Sequence, residues 1–208
     1  MIKIKTVLDV EKYLEDIDSV IFDLDDTLFS EKDYVKSGFR KISQYFSQIP
    51  NLNEELWNAF EAGLPAIDYV FAKHNLIENK DTALNIYRFH IPQIELYEGV
   101  SEMISRIREM KSVGIITDGR PEGQRAKLEA LKLDVDEVII TDELGGIQYR
   151  KPNKAAFVLM AERLRTPYDR MVYIGDNIKK DFDAPLDLGM KAIHFDNQDG
   201  LYAKKEDR

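Results

Sequence analysis

Short runs of apolar and β-branched residues recur along the chain, separated by longer segments with a different apolar spacing. Short, continuously apolar runs are typical of strands that are buried on both faces of a parallel sheet. They predict strands at residues 19–24, 112–117, 137–141, 171–175 and 191–195. The first strand pattern and the last therefore enclose most of the chain.

Between these strands, apolar residues follow the three- and four-residue spacing of amphipathic helices. Two such patterns cover residues 100–110 and 155–163. The alternation of strands and helices predicts an α/β fold, a doubly wound, Rossmann-like parallel sheet with right-handed crossovers. Residues 1–17 are expected to add a short strand and a helix outside this core.

The alternation is interrupted between residues 30 and 94, where no strand pattern is present. Helical spacing occupies residues 34–46, 56–71 and 83–89 instead. Because this connection is too long for a simple crossover, we predict two domains. Residues 1–29 and 95–208 form the core, and residues 30–94 form a small all-helical cap inserted into it. The last eight residues are expected to be a frayed polar tail.

Composition and charge narrow the class of protein. The chain has 208 residues, a formal net charge of -9 and no cysteine. Nucleic-acid binding is not expected because it requires a basic face, and disulfides, thiolate zinc sites and cysteine nucleophiles are excluded. No apolar stretch approaches the roughly 20 residues of a membrane span, and the charged N-terminus does not resemble a signal peptide. We expect a cytoplasmic monomer or homodimer without membrane contact.

Polar side chains stand at the carboxyl ends of four predicted strands, where open parallel sheets bind ligands. In chain order they are Asp23, Asp25, Thr117, Asp118, Lys151, Asp176 and Asp181. Acids brought this close repel one another unless a cation lies between them. Oxygen ligands without His or Cys favour Mg²⁺ over zinc. A metal, a lysine and a hydroxyl on one rim suit a phosphorylated substrate.

These residues lie in four ordered segments, DLDDTLF, IITDG, RKP and GDNIKKD, which resemble the motifs of the haloacid dehalogenase-like hydrolase superfamily. The segments LYEGV and GRPEGQRAKLEALKL resemble the same family. The resemblance covers about residues 18–28 and 96–196, and the helical insert has the location of the family's cap after the first motif. Dehalogenases of the family have no acid at the position of Asp25, so the resemblance implies the phosphatase branch.

The resemblance also implies roles for the first and fourth motifs. Asp23 is expected to be the nucleophile and to form an aspartyl-phosphate. Asp25 is expected to protonate the leaving oxygen and then to deprotonate the hydrolytic water. The implied Mg²⁺ ligands are the Asp23 carboxylate, the Asp25 backbone carbonyl and Asp176, together with water and phosphate oxygens.

The second and third motifs are expected to bind the phosphoryl group. Thr117 and the backbone N–H of Asp118 would bind its oxygens, and Lys151 would neutralise the nucleophile and the transition state. Asp181 would orient Lys151 or a metal-bound water. Two alternatives are open: Lys151 is also consistent with a solvated residue at a helix start, and Asp181 with an acid favoured by a helix dipole.

Candidates for substrate contact are Arg120, just behind the second motif, and Tyr34, Arg40, Trp57 and Arg88 in the cap. Trp57 also fits the core of the cap, and Arg40 and Arg88 also fit a solvated surface. These residues are therefore weaker candidates than those at the strand ends.

The resulting hypothesis is a magnesium-dependent phosphatase that hydrolyses a small phosphorylated metabolite, a sugar phosphate or a nucleotide. A phosphomutase of the same superfamily shares the four motifs and is an alternative. A non-catalytic binding module on this scaffold is the third hypothesis, but such a module usually lacks the nucleophile or a metal-binding acid, and both are present here.

Overall fold

The chain divides into two compact units in a computed structural model that describes residues 1–201 and 203. The core unit comprises Met1–Glu31 and Glu95–Arg208, and the helical unit comprises Lys32–Ile94. The predicted polar tail lies mostly outside the described residues. Its first residue, Leu201, donates its backbone N–H to Asp26 Oδ2 at 2.7 Å, so this residue is held by the core unit.

The core unit contains a six-stranded parallel sheet. Its strands are β1 (Ile2–Ile4), β2 (Ser19–Phe22), β3 (Ser112–Thr117), β4 (Glu137–Ile140), β5 (Met171–Gly175) and β6 (Lys191–Phe195). They are ordered β1-β6-β5-β2-β3-β4, and every neighbouring pair is parallel. The predicted α/β Rossmann-like fold is thus confirmed. Two strands end earlier than predicted, and after β4 the chain enters a 3-10 helix at Thr141–Leu144.

Residues 1–17 were predicted to add a short strand and a helix outside the core sheet, and for the strand this placement is wrong. β1 joins the main sheet as an edge strand, with Ile2 opposite Ile193 of β6. The following helix is of the 3-10 type, Val7–Tyr13, and it buries Val7 and Val10. Pairing with β6 explains the difference, because the backbone groups of so short a strand find their partners only in a neighbouring strand.

Eight α-helices are described. They are α1 (Glu31–Tyr45), α2 (Leu52–Glu61), α3 (Ala66–Lys73), α4 (Lys80–Phe89), α5 (Val100–Arg108), α6 (Pro121–Leu131), α7 (Ala155–Leu164) and α8 (Asp183–Asp187). Shorter 3-10 helices occupy Ile77–Asn79, Ile147–Tyr149 and Tyr168–Arg170. None of the described helices is both long and apolar enough to span a membrane.

One face of the sheet packs against α7. Ile21, Ile116 and Tyr173 form a continuous buried cluster with Phe157 and Met160 of that helix. Burial of each large side chain of this kind stabilises the fold by about 1.5–3 kcal/mol. The cluster fixes the strands whose carboxyl ends carry the polar motif residues, and it places the Tyr173 ring directly beneath them, where its hydroxyl contacts Lys151.

The helical unit has an apolar interior of its own. Its buried members include Val35, Phe39, Ile42, Phe46, Leu52, Leu56, Ile67, Val70 and Phe71. The single helical pattern predicted over residues 56–71 is two helices, α2 and α3. Gly63 takes a left-handed φ of 74°, which ends α2, and Pro65 cannot continue a helix.

Candidate active site

The carboxyl ends of β2 and β5 lie side by side in the middle of the sheet. From β2 the chain proceeds to β3 and β4 on one side and then returns through β5 and β6 on the other. Such a reversal of strand order forms the crevice in which open α/β sheets bind ligands. Asp23 follows β2 directly and donates its backbone N–H to Ile174 O at 2.8 Å. Asp176 follows β5, so the two acids stand on either side of the crevice.

A fully buried lysine lies at the centre of this site. Lys151 Nζ is 2.6 Å from Asp23 Oδ1, 2.7 Å from Tyr173 Oη and 2.8 Å from Asp181 Oδ1. An ammonium has three donors, so these contacts account for all of them. Although burial disfavours its charge, Asp181 and Asp23 raise the pKa of Lys151 well above its ordinary value. One buried cation faces two carboxylates, and the group keeps a net negative charge.

Three carboxylates of the site are close enough to share a cation. One oxygen from each of Asp23, Asp176 and Asp181 lies within 4.8 Å of the others. Burial raises the pKa of Asp23 to about 6, in spite of Lys151. Burial, and then the charge of Asp23, raise the pKa of Asp176 to about 9. All three donors are oxygen atoms, and burial makes their negative charges unfavourable in the absence of a counter-charge. Both features fit a hard divalent cation.

Asp181 reaches this group because of the turn that follows β5. Its Oδ2 accepts the backbone N–H of Asn177 at 2.9 Å. A side chain on Gly175 would place Cβ 2.5 Å from the same oxygen, so only glycine permits this approach. Asp181 precedes α8, which begins at Asp183, and its carboxylate contacts Lys151.

The second motif presents a buried hydroxyl and a carboxylate. Thr117 ends β3, and its buried Oγ1 has no hydrogen-bond partner among the described residues. A hydroxyl left in this state costs free energy unless a ligand pairs with it. The Asp118 carboxylate accepts hydrogen bonds from the Thr141 hydroxyl at 2.9 Å and the Lys151 backbone N–H at 3.1 Å. Lys180 Nζ lies 3.2 Å from its other oxygen.

Asp118 and Lys180 show what the sequence did not reveal at this motif. We predicted a role only for the backbone of Asp118, whereas its carboxylate joins the second, third and fourth motifs. Burial by itself raises the pKa of Asp118, but the charges of Lys151 and Lys180 outweigh it and lower that pKa. Lys180 lies within the fourth motif, GDNIKKD, and its position there was the available signal.

Asp25 has partners that are different from those of Asp23. Its Oδ1 is 2.6 Å from Lys127 Nζ, and its Oδ2 accepts a hydrogen bond from Gln124 Nε2 at 3.0 Å. Both partners lie on α6 and are buried. Neither was predicted, because polar residues on a helix are ordinarily assigned to its solvent-facing side. Their position in the family-like segment GRPEGQRAKLEALKL was the available signal.

Comparison with known families identifies the family of this chain. The family model for haloacid dehalogenase-like hydrolases matches residues 17–189. The chain belongs to this family. The matched range includes the four motifs and the helical insert. It therefore also includes every polar residue predicted at the strand ends, from Asp23 to Asp181.

Curated relatives of this haloacid dehalogenase-like hydrolase include one that is named a phosphatase and one that is named a nucleotidase. The glyceraldehyde 3-phosphate phosphatase of Methanocaldococcus jannaschii is 28% identical over 146 residues, which cover 67% of this chain and 62% of the relative. The pyrimidine 5'-nucleotidase YjjG of Escherichia coli is 24% identical over 173 residues, which cover 75% of each chain. The chain therefore spans less than two thirds of the first relative's length.

A solved member of the family has the same fold. The HAD-hydrolase YfnB from Bacillus subtilis, whose structure was determined with bound magnesium, matches with a TM-score of 0.62. The two chains are 18% identical, and the match covers 85% of each. At this identity the likeness concerns the fold alone.

The predicted substrate contacts have varied surroundings in this haloacid dehalogenase-like hydrolase. Arg120 is exposed and immediately precedes α6. Arg40 is exposed on α1, and Arg88 is half-buried near the end of α4. Exposure leaves these guanidinium groups accessible to a ligand, and their role in substrate contact stays a prediction.

The two predicted aromatic contacts differ in their surroundings within the helical unit. The Tyr34 ring is buried, with its centroid 5.8 Å from the Tyr87 ring and 4.9 Å from the His90 ring. Trp57 packs at the edge of the apolar interior, and Lys36 Nζ lies 4.9 Å from its ring centroid. For Trp57 these contacts favour a place in the core of the helical unit.

Proposed function

We propose that this protein is a magnesium-dependent phosphatase that hydrolyses a small phosphorylated metabolite through an aspartyl-phosphate at Asp23. The observation that carries the proposal is the buried Asp23 carboxylate, which lies 2.6 Å from a fully buried lysine at the crevice of the sheet. The substrate class, a sugar phosphate or a nucleotide, is supported by the names of the two curated relatives, which act on compounds of these kinds.

In the first half of the proposed reaction, an Asp23 oxygen bonds to phosphorus while the bond from phosphorus to the ester oxygen breaks. Asp25 donates a proton to the departing oxygen. The Thr117 hydroxyl and the Asp118 backbone N–H donate hydrogen bonds to the phosphoryl oxygens, and Lys151 offsets their growing charge. The unpartnered hydroxyl of Thr117 supports its assignment.

In the second half, Asp25 takes a proton from a water molecule, whose oxygen bonds to phosphorus while the bond to Asp23 breaks. Inorganic phosphate leaves, and Asp23 returns to its carboxylate form. We assign the Mg²⁺ ligands to the carboxylates of Asp23 and Asp176 and the backbone carbonyl of Asp25, with Asp181 holding Lys151. Bound Mg²⁺ supplies positive charge that offsets the acids and the phosphoryl group.

We assign recognition of the leaving group to the helical unit, as the family resemblance implies, with Tyr34 and Arg40 as its candidate residues and Arg120 from the core unit. Caps of this kind exclude water and select the substrate. A panel of sugar phosphates and nucleotides, assayed with single alanine variants at these positions, tests the assignment through changes in KM between substrates.

The reaction itself is tested with p-nitrophenyl phosphate. We expect turnover that requires Mg²⁺, is abolished by EDTA and falls by at least about 10³-fold in Asp23→Asn. Asp169→Asn, which changes an exposed acid of the core unit, serves as the control and keeps wild-type activity. Turnover in Asp23→Asn equal to that of the wild type would contradict the proposal. With isotope-labelled water, a hydrolase places one solvent oxygen in the released phosphate, whereas a phosphomutase does not.

A further inference from the structure

Helix α6 directs two polar side chains into the core unit. Gln124 and Lys127 are three residues apart, so they share one face of the helix. Gln124 has 5% of its surface exposed and Lys127 has 4%. Burial of an amide and an ammonium costs free energy unless both are paired, and this helix could have used apolar residues at the same positions.

The two side chains engage both oxygens of one carboxylate. Lys127 Nζ lies 2.6 Å from Asp25 Oδ1, and Gln124 Nε2 lies 3.0 Å from Asp25 Oδ2. A carboxylate held at a single oxygen can rotate about its last torsion. One held at both oxygens by donors on the same helix has a fixed plane, and its remaining lone pairs point in fixed directions.

Gln124 also joins Asp25 to the second motif. Its Nε2 donates to the backbone carbonyl of Asp118 at 2.9 Å. Gly119 makes room for this amide, because a Cβ at that position would lie 2.6 Å from Gln124 Nε2. The amide therefore sets the position of Asp25 relative to the loop to which we assign phosphoryl binding.

We propose that Gln124 and Lys127 are positioning residues that orient Asp25 for proton transfer to the leaving oxygen. The inference rests on the proposed function, in which Asp25 is the general acid. Transfer of a proton in the transition state depends on the distance and direction between donor and acceptor. Two donors on a rigid helix keep Asp25 in one orientation while substrates differ.

A purely structural role for the pair makes a different prediction from a positioning role. If Gln124 and Lys127 only satisfy buried groups, their loss lowers activity equally for every ester. If they position the acid, the loss is greatest for esters whose leaving oxygen needs a proton. Phenyl phosphate and p-nitrophenyl phosphate provide this contrast, since phenolate is much more basic than p-nitrophenolate and the two esters are similar in shape.

The experiment measures kcat/KM for both esters with Mg²⁺ in wild type, Lys127→Met and Gln124→Met. This parameter reports the steps up to formation of the phospho-enzyme, where the leaving group departs. We expect the kcat/KM of Lys127→Met to fall about 100-fold with phenyl phosphate and only about tenfold with p-nitrophenyl phosphate. Gln124→Met should show the same difference between the two esters, with smaller losses of kcat/KM. Lys132→Met, at the exposed residue that follows α6, is the matched control and should change neither value.

Each outcome decides between the hypotheses. A larger loss on phenyl phosphate supports positioning, and equal losses on the two esters, or no loss, overturn it. If Lys127→Met does not fold, as judged by circular dichroism, Gln124→Met decides, because it leaves the buried ammonium paired with Asp25. A wild-type protein that hydrolyses neither ester overturns the proposed function and this inference with it, whereas an active wild type with equal losses overturns the inference alone.

Discussion

The two units of this protein bury different kinds of side chain. Buried carboxylates and ammonium groups of the core unit are Asp23, Asp26, Lys127, Lys151 and Asp181. In the helical unit, all of whose residues are described, the buried polar side chains are Ser37 and His90, and the remainder of its interior is apolar. Charge is therefore buried in one unit only.

Because of this difference, the contribution of buried side chains to stability can be separated from their contribution to the proposed reaction. The apolar interior of the helical unit is sufficient to explain its fold, since apolar burial is the main favourable term in folding. Buried ion pairs contribute little to stability compared with apolar side chains of the same size. The core unit has several buried ion pairs at one edge of its sheet. Such groups are expected at an active site, where a reaction moves or stabilises charge.

Lys151→Met should have the largest effect. It leaves Asp23 and Asp181 without their shared cation, so we expect kcat on p-nitrophenyl phosphate to fall by about 10³-fold. The free energy of unfolding at pH 7.5 should fall by about 3–5 kcal/mol, because a buried charge loses its partner. Urea denaturation and steady-state kinetics measure the two effects.

The control for this prediction is Lys154→Met. Lys154 pairs with Asp187 at 3.0 Å, and both side chains are about half exposed. Exposed pairs of this kind contribute little, so activity and stability should both stay near wild type. A Lys151→Met protein that matched its control in both measurements would contradict a role of the buried Lys151 in the chemistry of the core unit.

Leu56→Ala should change stability without changing the chemistry. Leu56 is fully buried in the interior of the helical unit. We expect a loss of about 3 kcal/mol in the free energy of unfolding from the lost apolar contact and the cavity. At a temperature where the variant is folded, kcat on p-nitrophenyl phosphate should change less than about threefold. Leu64→Ala, at a more exposed position, is the matched control. A loss of kcat as large as that in Lys151→Met would break the separation.

The strand ends of the site could be predicted from the sequence because two patterns coincide there. Apolar runs locate β2, β3 and β5, and the residues that follow each run are polar. Since the strands are parallel, all these residues come to one edge of the sheet. Asp23, Thr117 and Asp176 are therefore brought together by the fold class alone.

The partners of these residues could not be predicted in the same way. Tyr173 lies in a buried strand, where a tyrosine is an ordinary core residue, and its contact with Lys151 depends on the loop that follows β4. Gln124 and Lys127 depend on the angle at which α6 leaves β3. Such contacts are set by packing between distant segments, which local apolar spacing does not encode. The edge position of β1 was missed for the same reason.

Tyr173→Phe tests one of these partners and should have a moderate effect. The hydroxyl accepts a hydrogen bond from Lys151 Nζ at 2.7 Å and lies 3.4 Å from Asp181 Oδ1. Its removal should lower the free energy of unfolding by about 1.5 kcal/mol, since it bonds to a charged group. We expect kcat to fall about tenfold with KM unchanged, because Lys151 acts mainly in the transition state. Tyr168→Phe, at a half-buried tyrosine of the same unit, is the control; equal effects in both variants would contradict the prediction.

Asp176→Asn should have the smallest effect on stability, and the sign of that effect depends on pH and on Mg²⁺. Burial raises the pKa of Asp176 to about 9 in the folded protein, whereas the unfolded chain has the ordinary value of about 4. The folded state therefore holds a proton that the unfolded state releases, and the stability contributed by this group falls as pH rises from about 4 to about 9. Asparagine does not ionise, so the Asp176→Asn protein does not lose this stability as pH rises.

In EDTA at pH 8, Asp176→Asn should therefore melt about 3 °C above the wild type. The difference should shrink toward pH 5, where less of the proton-linked stability has been lost. Saturating Mg²⁺ should reverse the order, because a cation that binds the folded state stabilises it and the variant has lost a ligand. Differential scanning fluorimetry across pH, with and without Mg²⁺, measures both trends. A variant less stable than wild type in EDTA at pH 8 would mean that Asp176 stabilises the core unit, and that its burial cannot be attributed to function.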